Sequence, residues 1–241
     1  MRIFKLAKYN IKSSLKSMII YYFIFIGTIT GIEIMIDPTT SGNTWGLEFS
    51  SIIFLFVIGL NFFRENFHFT QANNITRGEH FKAAGIAILA IGLAMSIIDV
   101  IINRVYNIFT QSPTMYDKIY TEKPTFVWIQ QSNSIGTLFG TVTFLFAFYI
   151  AAFAIGLLIT MIYYRCNKIM KILVSLSPIA IYGIIICNNY YLGDKVNYFI
   201  SDLLGIKIGN SYMAVMTFIC LFIIIMFFVY LLVRKAVVKK N

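Results

Sequence analysis

Three acidic residues lie inside or beside long apolar runs of the chain: Glu33, Glu48 and Asp99. A carboxylate in an apolar segment is costly to bury, so it is a candidate functional group by default. Together the three would form an acidic vestibule that favours basic substrates, or they would relay protons. The alternative is structural: each carboxylate lies near enough to an interface to be hydrated, or pairs locally, as Asp99 would with Arg104.

A polar stretch, QANNITRGEH, interrupts the apolar pattern of the chain. Asn73 or Asn74 can cap a helix, and Thr76 followed three residues later by Glu79 matches a capping box. An ordinary polar connection between two helices would need only a few residues. The sequence therefore predicts a short capped helix within a long loop at 64–82, lying across the mouth between the flanking apolar helices.

The sequence carries no motif for catalysis or for nucleotide binding. It has no G-x-x-x-x-G-K-[ST] phosphate loop and no H-E-x-x-H pair. Its two histidines, His68 and His80, are most simply solvated loop residues. We therefore predict no catalytic, cofactor-binding or metal-binding residue in this chain, and any ATP chemistry must belong to a second protein.

The composition places the chain in a membrane. Hydrophobic residues make up 59% of it and charged residues 12%, with a mean hydropathy of +0.77. A spanning helix needs about 20 mostly apolar residues. Runs of that kind predict an all-α protein with one transmembrane domain, 1–241, and six spans at about 18–36, 47–63, 83–102, 135–164, 172–187 and 211–233.

The distribution of basic residues predicts the orientation of these spans. Fifteen of the 20 Lys and Arg residues lie on the same side. By the positive-inside rule, both termini and the loop 64–82 face the cytoplasm of a bacterial cell membrane. The three acidic residues then fall toward the outer leaflet, as an outer vestibule requires. The net charge of +10 thus indicates contact with anionic lipid and gives no evidence for nucleic acid.

Other patterns predict how the ends and faces of the helices are used. An apolar stripe and a basic stripe at helical spacing predict an elbow helix at 2–17, in the plane of the cytoplasmic interface. These stripes are Phe4, Ala7, Ile11 and Leu15, and Lys5, Lys8, Lys12 and Lys16. Apolar residues at helical spacing around 197–204 predict an interfacial or re-entrant helix outside. Two G-x-x-x-G motifs, at 27–31 and 136–140, predict close helix packing.

This order of elements resembles the small ABC-2-type permeases of Gram-positive ABC exporters. The local match is ENFHFTQANNITRGEHF, at 65–81, which is similar to the family's loop between the second and third spans. Asn74 to Arg77 take the places of the family's Gly-hydrophobic-Ser-Arg turn, and Phe81 that of the Phe a few residues on. Asn74 departs from the usual Gly, although Asn also tolerates left-handed backbone geometry.

The resemblance implies a coupling helix that seats in a groove of a separate ATP-binding subunit, which holds the Mg-ATP. The coupling residues would be Asn73, Asn74, Ile75, Thr76, Arg77, Gly78, Glu79 and His80. It also implies a dimer, with a second copy or with a related permease. Exporters of phenol-soluble modulins and of bacteriocin-like peptides are similar in size and in their low-complexity composition rich in Ile, Phe and Tyr. The expected substrate is therefore an amphipathic or hydrophobic peptide.

Two other functions are compatible with the sequence. A membrane immunity or sensor protein would bind antimicrobial peptides without pumping them. An ATP-independent carrier or channel would transport without a partner. A neighbouring reading frame with a phosphate loop would favour the exporter over both.

Overall fold

The computed structural model of the protein describes residues 2–35, 47–108, 112–120, 133–167, 170–172, 176 and 194–234. Within these ranges, the side chains of residues 32–35, 64, 65, 68, 71 and 194 are outside the description. Seven helices are assigned in this part of the chain, and it contains no strand. They are α1 (Arg2–Met35), α2 (Glu48–Ala72), α3 (Arg77–Tyr106), α4 (Met115–Tyr120), α5 (Ile135–Arg165), α6 (Asp194–Leu203) and α7 (Ser211–Arg234).

The described helices confirm an all-α membrane protein at the level of length and composition. Four of them are long and apolar enough to cross a membrane: Arg2–Gly31 within α1, and α3, α5 and α7. The segment Glu48–Phe63 of α2 is a shorter apolar helix. The predicted span at 172–187 lies outside the described residues except for 172 and 176. The six-span topology therefore stays a prediction.

The predicted elbow helix is wrong as a separate element. Residues 2–17 form the first half of α1, a continuous helix of 34 residues, which is about 50 Å long at 1.5 Å per residue. The predicted basic stripe is confirmed, because all four of its lysines are exposed: Lys5, Lys8, Lys12 and Lys16.

The predicted apolar stripe of this segment is divided between an exposed and a buried part. Phe4 and Leu15 are exposed, whereas Leu6, Asn10 and Ser14 are buried. The buried face packs on α3 and on the turn before it, through a small apolar cluster. Its members are Ile3, Leu6, Ala7, Ile75, Ala83 and Ile86. The residues that pack on α3 are thus a different set from the predicted apolar stripe, with Ala7 common to both.

The stretch 64–82 is a helical hairpin rather than a loop with its own short helix. The helix α2 continues to Ala72, and α3 begins at Arg77, so only four residues separate them. Asn74 has a φ of 53°, which Asn adopts more readily than most residues, and the chain reverses there. The predicted capping box at Thr76 is confirmed, but it caps the long helix α3.

The helix α5 is the centre of the bundle. It packs against α2, α3, α4 and α7, while α1 packs mainly against α3. Its side chains dominate the main core, where Leu145, Tyr149, Phe153 and Ala154 are each at most 1% exposed. The elements that carry the polar groups described below are therefore held by one central helix.

Glycines set the closest approach in this bundle. A Cβ atom on Gly59 of α2 would lie 2.3 Å from the Phe153 carbonyl oxygen, and one on Gly156 of α5 would lie 2.2 Å from the Phe56 carbonyl oxygen. The predicted motif at 27–31 meets nothing within 4 Å among the described residues. In the predicted motif at 136–140, a Cβ atom on Gly140 would lie 2.5 Å from the Tyr116 hydroxyl oxygen of α4, so this motif does pack closely at one of its glycines. The backbone contact between α2 and α5 depends on two glycines that belong to neither predicted motif.

Replacing either crossing glycine by alanine is expected to destabilise the protein. Both Gly59→Ala and Gly156→Ala would push α2 away from α5, at a cost of about 1–3 kcal/mol, as for other overpacked sites. The matched control is Gly27→Ala, where space is open and alanine favours the helix. Thermal unfolding of the purified chain in detergent measures the difference, and equal stability of Gly59→Ala and Gly27→Ala would contradict the assigned crossing.

Candidate functional site

A buried carboxylate, that of Asp99, joins three helices. Asp99 lies on α3 and is 5% exposed. The Tyr22 hydroxyl of α1 donates to its Oδ1 at 2.8 Å, and the Tyr149 hydroxyl of α5 donates to its Oδ2. Tyr149 is itself fully buried. Each carboxylate oxygen thus receives a hydroxyl hydrogen, which offsets much of the cost of removing the group from water.

The second helix, α2, joins the same cluster through Ser51. Its hydroxyl is 2.9 Å from that of Tyr21, and the Tyr21 ring stacks on Phe54 with centroids 4.1 Å apart. Consecutive residues on a helix point about 100° apart. Tyr21 therefore reaches α2 while Tyr22 reaches Asp99 on α3. The pair of tyrosines fixes the rotation of α1 between its two neighbours.

Glu48, the first residue of α2, lies beside Asp99 and is 3% exposed. Neither of its carboxylate oxygens forms a hydrogen bond with any described residue. The backbone N–H groups of Glu48 itself and of Met115 lie close to this carboxylate. Both acids line one small cavity of about 10 Å³, together with Phe25, Leu47, Ile102 and Asn103.

The expected pairing of Asp99 with Arg104 is replaced by a different ion pair. The Arg104 guanidinium lies 4.0 Å from the buried carboxylate of Asp117 on α4, and also donates to the Asn133 side chain at 3.1 Å. The carboxylate of Asp117 accepts hydrogen bonds from the backbone and the hydroxyl of Thr114. These contacts place α4 over the same end of α3.

Tyr120 ties α4 to the segment after α6. The Tyr120 hydroxyl donates to the Leu204 carbonyl at 2.7 Å. Burial and the neighbouring Tyr116 raise the pKa of Tyr120 to about 12. The hydroxyl therefore keeps its proton, and can donate this bond, across the physiological pH range.

The structure brings two of the three predicted acids together. Glu48 and Asp99 line one cavity, and both are buried rather than hydrated. Glu33 lies in the last turns of α1, and its side chain is outside the described residues. Sequence reasoning missed Tyr22 and Tyr149, whose only signal is a hydroxyl within an apolar run.

The predicted coupling residues lie at the tip of the α2–α3 hairpin. Asn73, Asn74, Thr76 and Arg77 are exposed there. Both hydrogen bonds of the capping box are present. Thr76 Oγ1 accepts from the Glu79 backbone N–H at 3.3 Å, and the Glu79 carboxylate accepts from the Thr76 backbone N–H at 3.1 Å. The tip is thus an ordered and accessible surface.

Two residues connect this tip to the rest of the bundle. The Arg77 guanidinium donates to the Arg234 carbonyl at the end of α7, at 2.8 Å. His80 is 2% exposed and meets Phe63 and Phe67 of α2 edge to face, with centroids 5.9 and 5.8 Å away. The expectation that His80 is solvated is therefore wrong, since its ring is part of the packing between α2 and α3.

Removing one tyrosine hydroxyl is expected to destabilise the fold through Asp99. In Tyr149→Phe, one carboxylate oxygen loses its donor, and lost hydrogen bonds to charged groups cost about 1.5–3 kcal/mol. The control is Tyr212→Phe, because Tyr212 is 59% exposed. Thermal unfolding in detergent checks both variants, and a Tyr149→Phe protein as stable as the wild type would contradict the role of this bond.

Comparison of the chain with family models, with curated proteins and with solved structures finds no match.

Proposed function

We propose that the chain is the permease subunit of an ATP-driven ABC exporter that moves amphipathic or hydrophobic peptides out of the cell. A separate ATP-binding subunit would supply the energy, and a second permease would complete the path. The observation that carries this proposal is the exposed, capped tip of the α2–α3 hairpin.

The tip of the α2–α3 hairpin has the properties expected of a surface that a second protein contacts and displaces. The apolar segment of α2 ends at Phe63 and the helix continues to Ala72, which extends it by about 14 Å at 1.5 Å per residue. The capping box gives the backbone N–H groups at the start of α3 their partners. A helical hairpin that is capped at its turn transmits force along its axes better than a polar loop would.

Contacts at the base of the tip would carry the motion into the bundle. Arg77 contacts the last residue of α7, and the Ile75 side chain packs in the cluster formed with the start of α1. A displacement of the turn therefore acts on α1 and α7 as well as on α2 and α3. Rigid-body motion of packed helices is a common form of switching.

The charge of the tip suits an interaction with a second protein. Arg77, which is exposed, and Glu79, which is partly exposed, lie two residues apart at the start of α3, beside the exposed Thr76. An ATP-binding subunit that contacts both would recognise opposite charges in a fixed order, and such complementarity fixes the register of an interface. The immunity and carrier hypotheses assign no role to this surface.

Charge reversal at the tip tests the proposal. The double variant Arg77→Glu, Glu79→Lys is expected to insert in the membrane but to lose stimulation of ATPase activity in the complex. Lys82→Glu is the matched control, since Lys82 is exposed on the next turn of α3. The readout is ATP hydrolysis by the chain co-purified with the P-loop protein encoded by a neighbouring reading frame.

Two results would contradict the proposal. Unchanged ATPase stimulation in the double variant would exclude the tip as the coupling surface. Failure of the wild-type chain to co-purify with any ATP-binding subunit, together with transport by the purified chain alone in liposomes, would favour the carrier.

A further inference from the structure

A groove opens between α1 and α2 where these two helices spread apart. They contact each other on either side of it through stacked rings: Tyr9 lies on Phe69 with centroids 4.2 Å apart, and Tyr21 lies on Phe54 with centroids 4.1 Å apart. The cavity between the two stacks has a volume of about 220 Å³. Its walls are three serines of α1, and two asparagines and four apolar residues of α2. The described helices therefore leave a partly polar opening in the side of the bundle.

The polar and apolar parts of this groove lie at different depths. Ser13 and Asn66 are at the end nearer the hairpin tip, beyond the apolar segments of the two helices, because the segment of α2 ends at Phe63 and the predicted span of α1 begins at about 18. Val57 lies inside the apolar segment of α2, nine residues before Asn66, which is about 14 Å along the helix. The groove thus joins the level of the lipid headgroups to the level of the acyl chains.

An apolar track continues the groove into the membrane. Ser17, Ile20 and Ile24 follow one another at three- and four-residue spacing, so they lie on one face of α1. Ile20 and Ile24 are exposed, as is Val57 of α2. Polar groups at the interface followed by exposed aliphatic residues suit a phospholipid, since its head is polar and its chains are apolar.

The polar end of the groove offers hydrogen-bond donors. Ser13 and Ser17 are exposed, and a hydroxyl can both donate and accept. Asn61 is exposed as well, and its amide donates one hydrogen to the Val57 carbonyl at 3.0 Å and carries a second. The oxygen atoms of a phosphate or a glycerol group accept hydrogen bonds of this kind.

Lysines border the groove on the side of α1. Lys12 and Lys16 come directly before Ser13 and Ser17, and both are exposed. The segment 2–17 carries five basic residues and no acidic one, and the adjacent Arg64 and Glu65 of α2 have formal charges that cancel. Lysine side chains are long enough to follow a surface while their ammonium groups stay at the polar level. The groove therefore attracts an anionic group.

The size and the charge of the groove disfavour a helix of another protein as its occupant. One helical turn is about 10 Å across and 5.4 Å long, so it occupies roughly 400 Å³, about twice the volume of the cavity. A second copy of the chain that docked symmetrically would place the same surface, with its own lysines, against this one. The headgroup of an anionic lipid avoids both conflicts.

We propose that this groove binds one anionic phospholipid. Its phosphate would accept hydrogen bonds from Ser13, Ser17 and Asn61 and would be attracted by Lys12 and Lys16, while one acyl chain would follow the apolar track. Basic pockets between membrane helices are known to hold anionic headgroups in this way. The inference does not depend on the exporter proposal, because lipid binding is a property of this chain alone and can be measured without an ATP-binding subunit.

Native mass spectrometry of the purified full chain in detergent tests the site. Titration with dioleoyl phosphatidylglycerol is expected to show saturable binding of one lipid per chain, and dioleoyl phosphatidylcholine, which has the same chains and no net charge, is expected to bind more weakly. The double variant Lys12→Gln, Lys16→Gln should raise the Kd for phosphatidylglycerol by roughly tenfold, because each basic residue near the headgroup contributes to the attraction.

The matched control is Lys5→Gln, Lys8→Gln. It removes the same charge from the same helix, but on the other side of the Tyr9–Phe69 stack from the groove. Its Kd for phosphatidylglycerol is expected to stay close to that of the wild type. Equal weakening in the two lysine pairs would overturn the proposal in favour of diffuse attraction between the lipid and a basic helix.

A variant that fills the groove separates the cavity from the lysines. Ser17→Leu keeps the charge, and it is expected to fold because Ser17 is exposed and leucine favours a helix. Its Tm without lipid should match that of the wild type, whereas its binding of phosphatidylglycerol should be lost.

Four further results would overturn the proposal. They are binding that survives in Ser17→Leu, equal binding of phosphatidylglycerol and phosphatidylcholine, occupation of the site by inorganic phosphate as tightly as by the lipid, and a wild-type dimer that Ser17→Leu dissociates. The third result would assign the groove to a free anion, and the fourth would assign it to a second copy of the chain.

Discussion

The burial of the Asp99 carboxylate is the constraint on which the arrangement of the helices depends. A carboxylate in an apolar interior is tolerated only when other groups satisfy it. Its two oxygens accept from Tyr22 on α1 and from Tyr149 on α5, while Ser51 brings α2 to the adjacent Tyr21. Four helices must therefore keep both their rotation about their own axes and their positions along those axes if the Asp99 carboxylate is to keep its hydrogen bonds.

The glycine crossing supplies the closeness that this cluster needs. Gly59 lies about two turns along α2 from Ser51, and Gly156 lies about two turns along α5 from Tyr149. Because the backbones of α2 and α5 touch at these glycines, Ser51 at the other level can reach Tyr21 of α1 and Tyr149 can reach Asp99 of α3. The packing of α2 against α5 and the polar cluster around Asp99 thus depend on each other.

Local signals in the sequence predicted local structure well. The Thr76–Glu79 box is read from side chains that bond to the backbone within a few residues, and it is confirmed. The left-handed backbone geometry at Asn74 is found as well, but the N-cap is Thr76, so the prediction that Asn73 or Asn74 caps the helix is wrong. The side of α1 that packs against other helices was harder to predict, because apolar side chains in a membrane protein are as stable against lipid as against a neighbouring helix. Phe4 and Leu15 therefore gave no information about which side packs. Glu48 and Asp99 were predicted as a site from their charge. The two tyrosine partners of Asp99, however, are 50 and 77 residues away from it in the sequence, and no short sequence pattern encodes such a contact.

The helix α3 relates the two polar regions to each other. It contains no proline and runs without interruption from the capped tip at Arg77 to the ion pair at Arg104. Glu79 and Asp99 are twenty residues apart on it, which is about 30 Å along a rigid rod. In the proposed exporter, a push on the tip would move Asp99 relative to Tyr149 unless α5 follows. Because the Tyr149 hydroxyl and the Gly59–Gly156 crossing resist that separation, α2, α3 and α5 should move as one body, and the Tyr22 hydroxyl should hold α1 to them.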